Sequence, residues 1–91
     1  MARHRTHRSD ANQVKIVKAL RQVGCEVHVI DRPVDLLVGL NGRWCLLEVK
    51  GPSGRLTPDQ EEFFESPKGP ASIVRNFEEA IMFVFDVANR R

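Results

Sequence analysis

The dipeptide Asn41-Gly42 constrains this chain more than any other feature, because it joins two apolar runs within "PVDLLVGLNGRWCLLEVK", residues 33–50. Asn-Gly tolerates the positive φ angles of a two-residue type I′ turn, and such a turn fixes the register of the hairpin it closes. With Leu40 facing Arg43, the numbers of every cross-strand pair sum to 83, so Asp35 is expected to stand opposite Glu48. Counting outward from the turn places them at a non-hydrogen-bonded position, where side chains approach most closely and like charges destabilise. Alternation puts Asp35, Leu37, Trp44, Leu46, Glu48 and Lys50 on one face and Leu36, Val38, Cys45, Leu47 and Val49 on the other. Both faces are apolar, which predicts a hairpin covered on both sides. Two carboxylates at a covered face need a cation or a proton, since an unpaired buried charge costs several kcal/mol. A divalent metal is one candidate; Lys50, on the same face, could instead neutralise the pair as a purely structural ion cluster.

The rest of the chain limits what such a hairpin can serve. At 91 residues it makes one domain, too small for separate catalytic and recognition domains. No apolar run is long enough to span a membrane. The opening "MARHRTHRSD" has no apolar segment and does not read as a signal peptide. Cys25 and Cys45 sit in strand-like runs without metal-ligand spacing, which predicts reduced thiols in a cytoplasmic protein, or in host cytoplasm for a phage-encoded one. The net charge of +2 identifies no partner, but its distribution is uneven, with Arg3, Arg5 and Arg8 at the start and Asp59, Glu61, Glu62 and Glu65 in one short segment.

Residues 10–23 read as an amphipathic helix, with Asp10 and Gln13 in capping-box spacing, Val14, Val17, Leu20 and Val23 as its apolar stripe, and Gly24 as terminator. "CEVHVI", residues 25–30, is a strand, and Asp31 to Pro33 turn into the hairpin. After the loop "GPSGR", Thr57, Pro58 and Gln60 form a capping signature for a short helix over 58–65. "ASIVR" reads as a fourth strand, and Asn76 with Glu79 caps a last helix through about Val87. The connection between the third and fourth strands contains a helix, which permits a parallel crossover and a mixed sheet with helices on its faces. The domain is expected over residues 10–91, behind a flexible basic tail over 1–9.

Asp35, followed by Glu48-Val49-Lys50 on the next strand, in a helix, three-strand meander, helix, strand order, resembles the PD-(D/E)XK nuclease superfamily, and its compact VRR-NUC-type branch in particular. "DANQVKIVKALRQVG", the hairpin and "LTPDQEEFF" all resemble viral and phage members; Val34 separates Pro33 from Asp35, which the family motif places side by side. The resemblance implies an α/β fold with a restriction-endonuclease-like α-β-β-β-α-β core, a mixed four-stranded sheet, and here an added C-terminal helix. It implies that Asp35, Glu48 and the main-chain carbonyl of Val49 bind Mg²⁺ or Mn²⁺, that Lys50 orients or deprotonates the attacking water, and that Gln60 lies near the catalytic group. Asp10 and Asn12 occupy the region where some members carry a further acidic or amide residue, with helix capping as the plainer role for Asp10. Capping alone also accounts for Gln60. The chemistry is consistent, since a hard cation takes oxygen ligands and lowers the pKa of bound water.

These features predict a metal-dependent DNA endonuclease, selective by resemblance for branched or Holliday-junction DNA; the alternatives are a non-catalytic DNA-binding module on the same fold, or a structural ion cluster. Arg3, Arg5, Arg8 and Arg55 are the expected phosphate contacts. His4 and His7, at one-turn spacing in that basic terminus, add charge near phosphates, and His28 is a strand residue. A homodimer is expected from the last helix: Phe77, Ala80, Ile81, Val84 and Ala88 make a stripe toward the sheet, which leaves Met82 and Phe83 pointing away and Phe85 at the margin.

Overall fold

A computed structural model describes residues 8–91, with side chains from residue 11 onward. The order is α1 (Arg8–Gln22), β1 (Glu26–Val29), β2 (Leu36–Leu40), β3 (Arg43–Val49), α2 (Pro58–Glu65), β4 (Ala71–Val74) and α3 (Phe77–Ala88). The four strands form one sheet in the order β1-β2-β3-β4. The first two pairings are antiparallel and β3 with β4 is parallel, so the chain is α/β with a mixed sheet, as expected. The helix of the parallel crossover is α2.

The hairpin register is the one its turn dictates: Leu40 faces Arg43, Val38 faces Cys45 and Leu36 faces Leu47. Asn41 at φ 55° and Gly42 at φ 76° both lie in the left-handed region that a type I′ turn requires. One face of the sheet is sealed. There Leu36, Val38, Cys45, Leu47, Val49, Val27 and Val74 pack against Ile16, Val17 and Leu20 of α1 and Ala80, Val84 and Val87 of α3. Leu20, Leu36 and Leu47 have no exposed surface, so truncating one of them to Ala should cost about 2–5 kcal/mol.

Covering on both sides is not what the chain achieves. Among the described residues the opposite face meets α2, an eight-residue helix with no buried residue, and Leu37 and Leu46 stay half-buried and Trp44 exposed. The α1 stripe is corrected as well: Ile16, Val17 and Leu20 are buried, whereas Val14 and Val23 are exposed. Asp10 falls inside α1 (Arg8–Gln22) and not at the cap position expected for it. On α3, Ala80, Val84, Val87 and Ala88 are buried, Ile81 and Phe83 half-buried, and Met82, Phe77 and Phe85 exposed. Phe77 thus falls outside the expected stripe and Val87 joins it. Cys25 and Cys45 are buried and free, with the Cys45 thiol pushed up to about 11 by burial, so both are inert.

Candidate metal centre

Asp35 sits one residue ahead of β2, where the ladder with β3 runs out, and its side chain completes that ladder: Oδ2 accepts the Val49 N–H at 2.9 Å. Its own carbonyl accepts the Ile30 N–H at 2.8 Å, which ties the carboxylate to the end of β1 as well. Asp35 is 6 % exposed and Glu48 is 2 % exposed, and their carboxyl groups stand within hydrogen-bonding reach of each other. Burial pushes Glu48 above the usual carboxylate range and the Asp35 charge adds to the rise, while Lys50 opposes it. Glu48 therefore holds a proton more readily than an isolated glutamate.

Two donors reach one oxygen of Glu48. Lys50 Nζ lies 3.2 Å from Oε2, and Gln60 Nε2 donates to the same atom at 2.9 Å. The other oxygen, Oε1, is buried with no hydrogen-bond partner. The Gln60 amide also carries the capping box, for its Oε1 accepts the Thr57 N–H at 3.0 Å while its backbone N–H reaches Thr57 Oγ1 at 3.2 Å. One side chain thus does both things expected of it separately. The cap fixes the amide's orientation, and that orientation presents the NH₂ to Glu48.

Lys50 is held from behind by Val74, Asn12 and, through the loop that follows, Arg75. Its N–H donates to Val74 O at 3.1 Å, and its carbonyl accepts Asn12 Nδ2 at 3.1 Å. The same Asn12 nitrogen donates to Arg75 O at 3.0 Å. Asn12 therefore staples α1 to the ends of β3 and β4 with its amide nitrogen. The Arg75 guanidinium donates to the carbonyls of Gly51 and Gly54, closing the loop after Lys50 into a turn that lies on the lysine stem. Nothing local could have marked Arg75, since its partners are 24 and 21 residues back in the chain.

Asp35, Glu48, Val49, Lys50 and Gln60 are thus brought together, and Asn12 borders them. Arg55 is exposed on the loop that follows Lys50. Arg3, Arg5, His4 and His7 lie outside the described residues, as do the side chains of Arg8 and Asp10. Among the described residues, no group of three or more His, Cys, Asp or Glu side chains converges. His28 pairs with Glu26 at 2.7 Å on the first strand, away from the carboxylates.

Comparison of the chain with protein-family models, curated proteins and solved structures finds no match.

Proposed function

We propose that this protein is a metal-dependent endonuclease of the PD-(D/E)XK type, hydrolysing phosphodiester bonds of DNA. The observation that carries this reading is the orphaned Oε1 of Glu48, a buried carboxylate oxygen beside a second carboxylate. A buried acceptor without a partner costs about 1–3 kcal/mol, more when charged, and oxygen-seeking Mg²⁺ or Mn²⁺ would satisfy it. Asp35 and Glu48 would hold the ion, with the Val49 carbonyl and substrate or water oxygens completing its shell. Bound there, a divalent cation supplies Lewis acidity and a water of lowered pKa.

The chain's own groups do the rest. Asp35 keeps its position because the Val49 N–H anchors one oxygen. Gln60 keeps Glu48 oriented. Lys50, its stem packed under the Gly51–Gly54 turn, presents an ammonium group to orient the attacking water and to stabilise charge in the transition state. Branched or junction DNA is the substrate class taken over from the resemblance.

A homodimer belongs to the same proposal. Met82 is 73 % and Phe85 39 % exposed on α3, and such apolar surface is the kind that interfaces use. A two-fold arrangement would allow paired incisions in a branched substrate. No helix among the described residues is long and apolar enough to cross a membrane; a cytoplasmic setting is proposed from the free buried thiols.

The Lys50–Glu48 ion pair favours a second reading, a structural ion cluster that needs no metal. It leaves Oε1 of Glu48 unsatisfied. The deciding experiment incubates the protein with linear, single-stranded, flapped and four-way DNA, with Mg²⁺ or Mn²⁺ against a chelator. Metal-dependent cleavage that disappears in Glu48→Gln supports the nuclease, and no cleavage together with no binding of Mn²⁺ defeats it.

A further inference from the structure

Trp44, the single tryptophan of the chain, lies on the same sheet face as Asp35 and Glu48, on the part of β3 nearer the turn. A methyl group added at Gly39, its cross-strand partner, would meet indole atoms Cζ3, Cε3 and Cη2 at 2.7, 2.8 and 3.0 Å. Three consecutive ring atoms at nearly equal distances mean that the ring presents its face to Gly39; an edge-on ring would bring only one atom so close. The bare glycine is therefore a seat for the indole. Any side chain there would lift it off the sheet.

An indole seated on one face has its other face to offer, and Trp44 is 46 % exposed. The His28 ring stands beside it, centroids 6.1 Å apart and planes tilted by 37°. Trp44 also walls a cleft of about 390 Å³ that is lined by Glu26, Arg43 and the backbone of the Asn41-Gly42 turn. That volume falls in the usual range of small-ligand sites, about 300–1,000 Å³. An aromatic wall with a carboxylate and a guanidinium at its rim matches the π-face, amino groups and carbonyl acceptors of a nucleobase. Glu48 is four residues along the same strand, about 13 Å at 3.3 Å per residue, a span of at most about four nucleotides, since 3.4 Å is the rise of fully stacked DNA.

We propose that Trp44 is a stacking platform for an unpaired nucleobase, engaging single-stranded nucleic acid within about four nucleotides of the phosphate that a cation at Asp35 and Glu48 would engage. The inference rests on the nuclease reading for the position of that phosphate and narrows its substrate to DNA with an unpaired segment, such as a flap or an opened junction arm. A base inside an intact duplex has no free face to give.

Because Trp44 is the only indole, its fluorescence reports the contact directly. In chelator, so that nothing is cut, the protein is titrated with a 12-nucleotide single strand, a flapped duplex, a blunt duplex and an abasic 12-mer of equal charge. Saturable quenching by the first two and not by the last two is expected. Trp44→Ala should weaken single-strand binding by about 5- to 160-fold, the loss typical of one stacked base, and Trp44→Phe, which keeps an aromatic face, by only a few-fold. Equal quenching by the abasic strand, no quenching by either substrate, or unchanged binding by Trp44→Ala of native circular dichroism would overturn the proposal. Quenching that follows protein concentration alone would assign the surface to a second copy and overturn it too. Stacking with neither cleavage nor binding of Mn²⁺ would sink the nuclease and leave the platform standing; cleavage without stacking does the reverse.

Discussion

Replacing Gln60 with Glu tests the site through stability, without any substrate. Glu serves as well as Gln at the third position of a capping box, so the bond to the Thr57 N–H survives. What changes is the other half of the side chain: the donor 2.9 Å from Glu48 Oε2 becomes an acceptor carrying charge. Two carboxylates about 3 Å apart repel by about 5 kcal/mol at an effective dielectric of about 20. Proton uptake sets a ceiling below that. Protonating a carboxyl of pKa about 4.3 at pH 7 costs about 3.7 kcal/mol, and the acquired O–H restores a donor toward Glu48. The expected loss is therefore about 3–4 kcal/mol at pH 7, a large share of the 5–15 kcal/mol typical of a domain.

The sign of the pH dependence follows from the same proton. Folding raises the pKa of the crowded carboxyl, so the penalty is absent below its unfolded value near 4.3 and grows as pH rises toward the folded one. At pH 5 it should shrink to about 1 kcal/mol. Urea unfolding at both pH values in chelator measures it, and excess Mg²⁺ should narrow the deficit by neutralising the extra charge. A variant as stable as the parent at pH 7, or a deficit equal at pH 5 and 7, would show that Gln60 does not face Glu48 as described.

Asp35→Ala or Glu48→Ala should abolish metal-dependent cleavage with native circular dichroism retained but the metal-free melting temperature lowered, since relief of the crowded carboxyls is outweighed by the stranded Val49 N–H in the first and the unpaired Gln60 and Lys50 donors in the second; Lys50→Ala should lower kcat more than Mn²⁺ affinity in calorimetry. The parent protein without metal should lose stability as pH rises from about 4.5, because the raised pKa of Glu48 makes the native state bind more protons than the unfolded chain, and Mg²⁺ should flatten that slope. Deleting residues 1–8 should reduce the logarithmic salt dependence of duplex binding by roughly 2–3 units if Arg3, Arg5 and Arg8 each touch a phosphate; an unchanged slope makes that segment a bystander. Sedimentation at micromolar concentration should give twice 10.4 kDa, and a monomer mass would remove the dimer but not the metal site.

The hairpin was legible because a two-residue turn converts sequence spacing into geometry, and Asp35 and Glu48 were paired by that rule alone. The α1 stripe was misread for a related reason. Val14, Val17, Leu20 and Val23 step by three residues, which rotates about 60° backward each time on a 3.6-residue helix, so its two ends leave the buried face. Ile16, Val17 and Leu20 stay within one narrow sector and are the residues that pack. Alternation on the hairpin showed two apolar faces but not that α2 is too short to cover the second. Asn12 and Arg75 act on backbone carbonyls distant in sequence, and such contacts leave no periodicity to detect.

The arrangement of the hairpin has a consequence for how this chain can change in length. Asp35, Glu48 and Lys50 lie within sixteen residues on either side of one two-residue turn, and their common face exists only in the present register. One residue inserted into either strand would send every side chain beyond it to the opposite surface, carrying carboxylates into the core and leucines into water. The segment 51–54 is pinned as well, by Arg75. Lengthening is therefore confined to stretches such as 66–70, between α2 and β4, where the residues are mostly exposed and the main tie is the Pro70 carbonyl to the Leu46 N–H. Relatives of this protein should differ in size there and keep the spacing from Asp35 to Lys50 invariant.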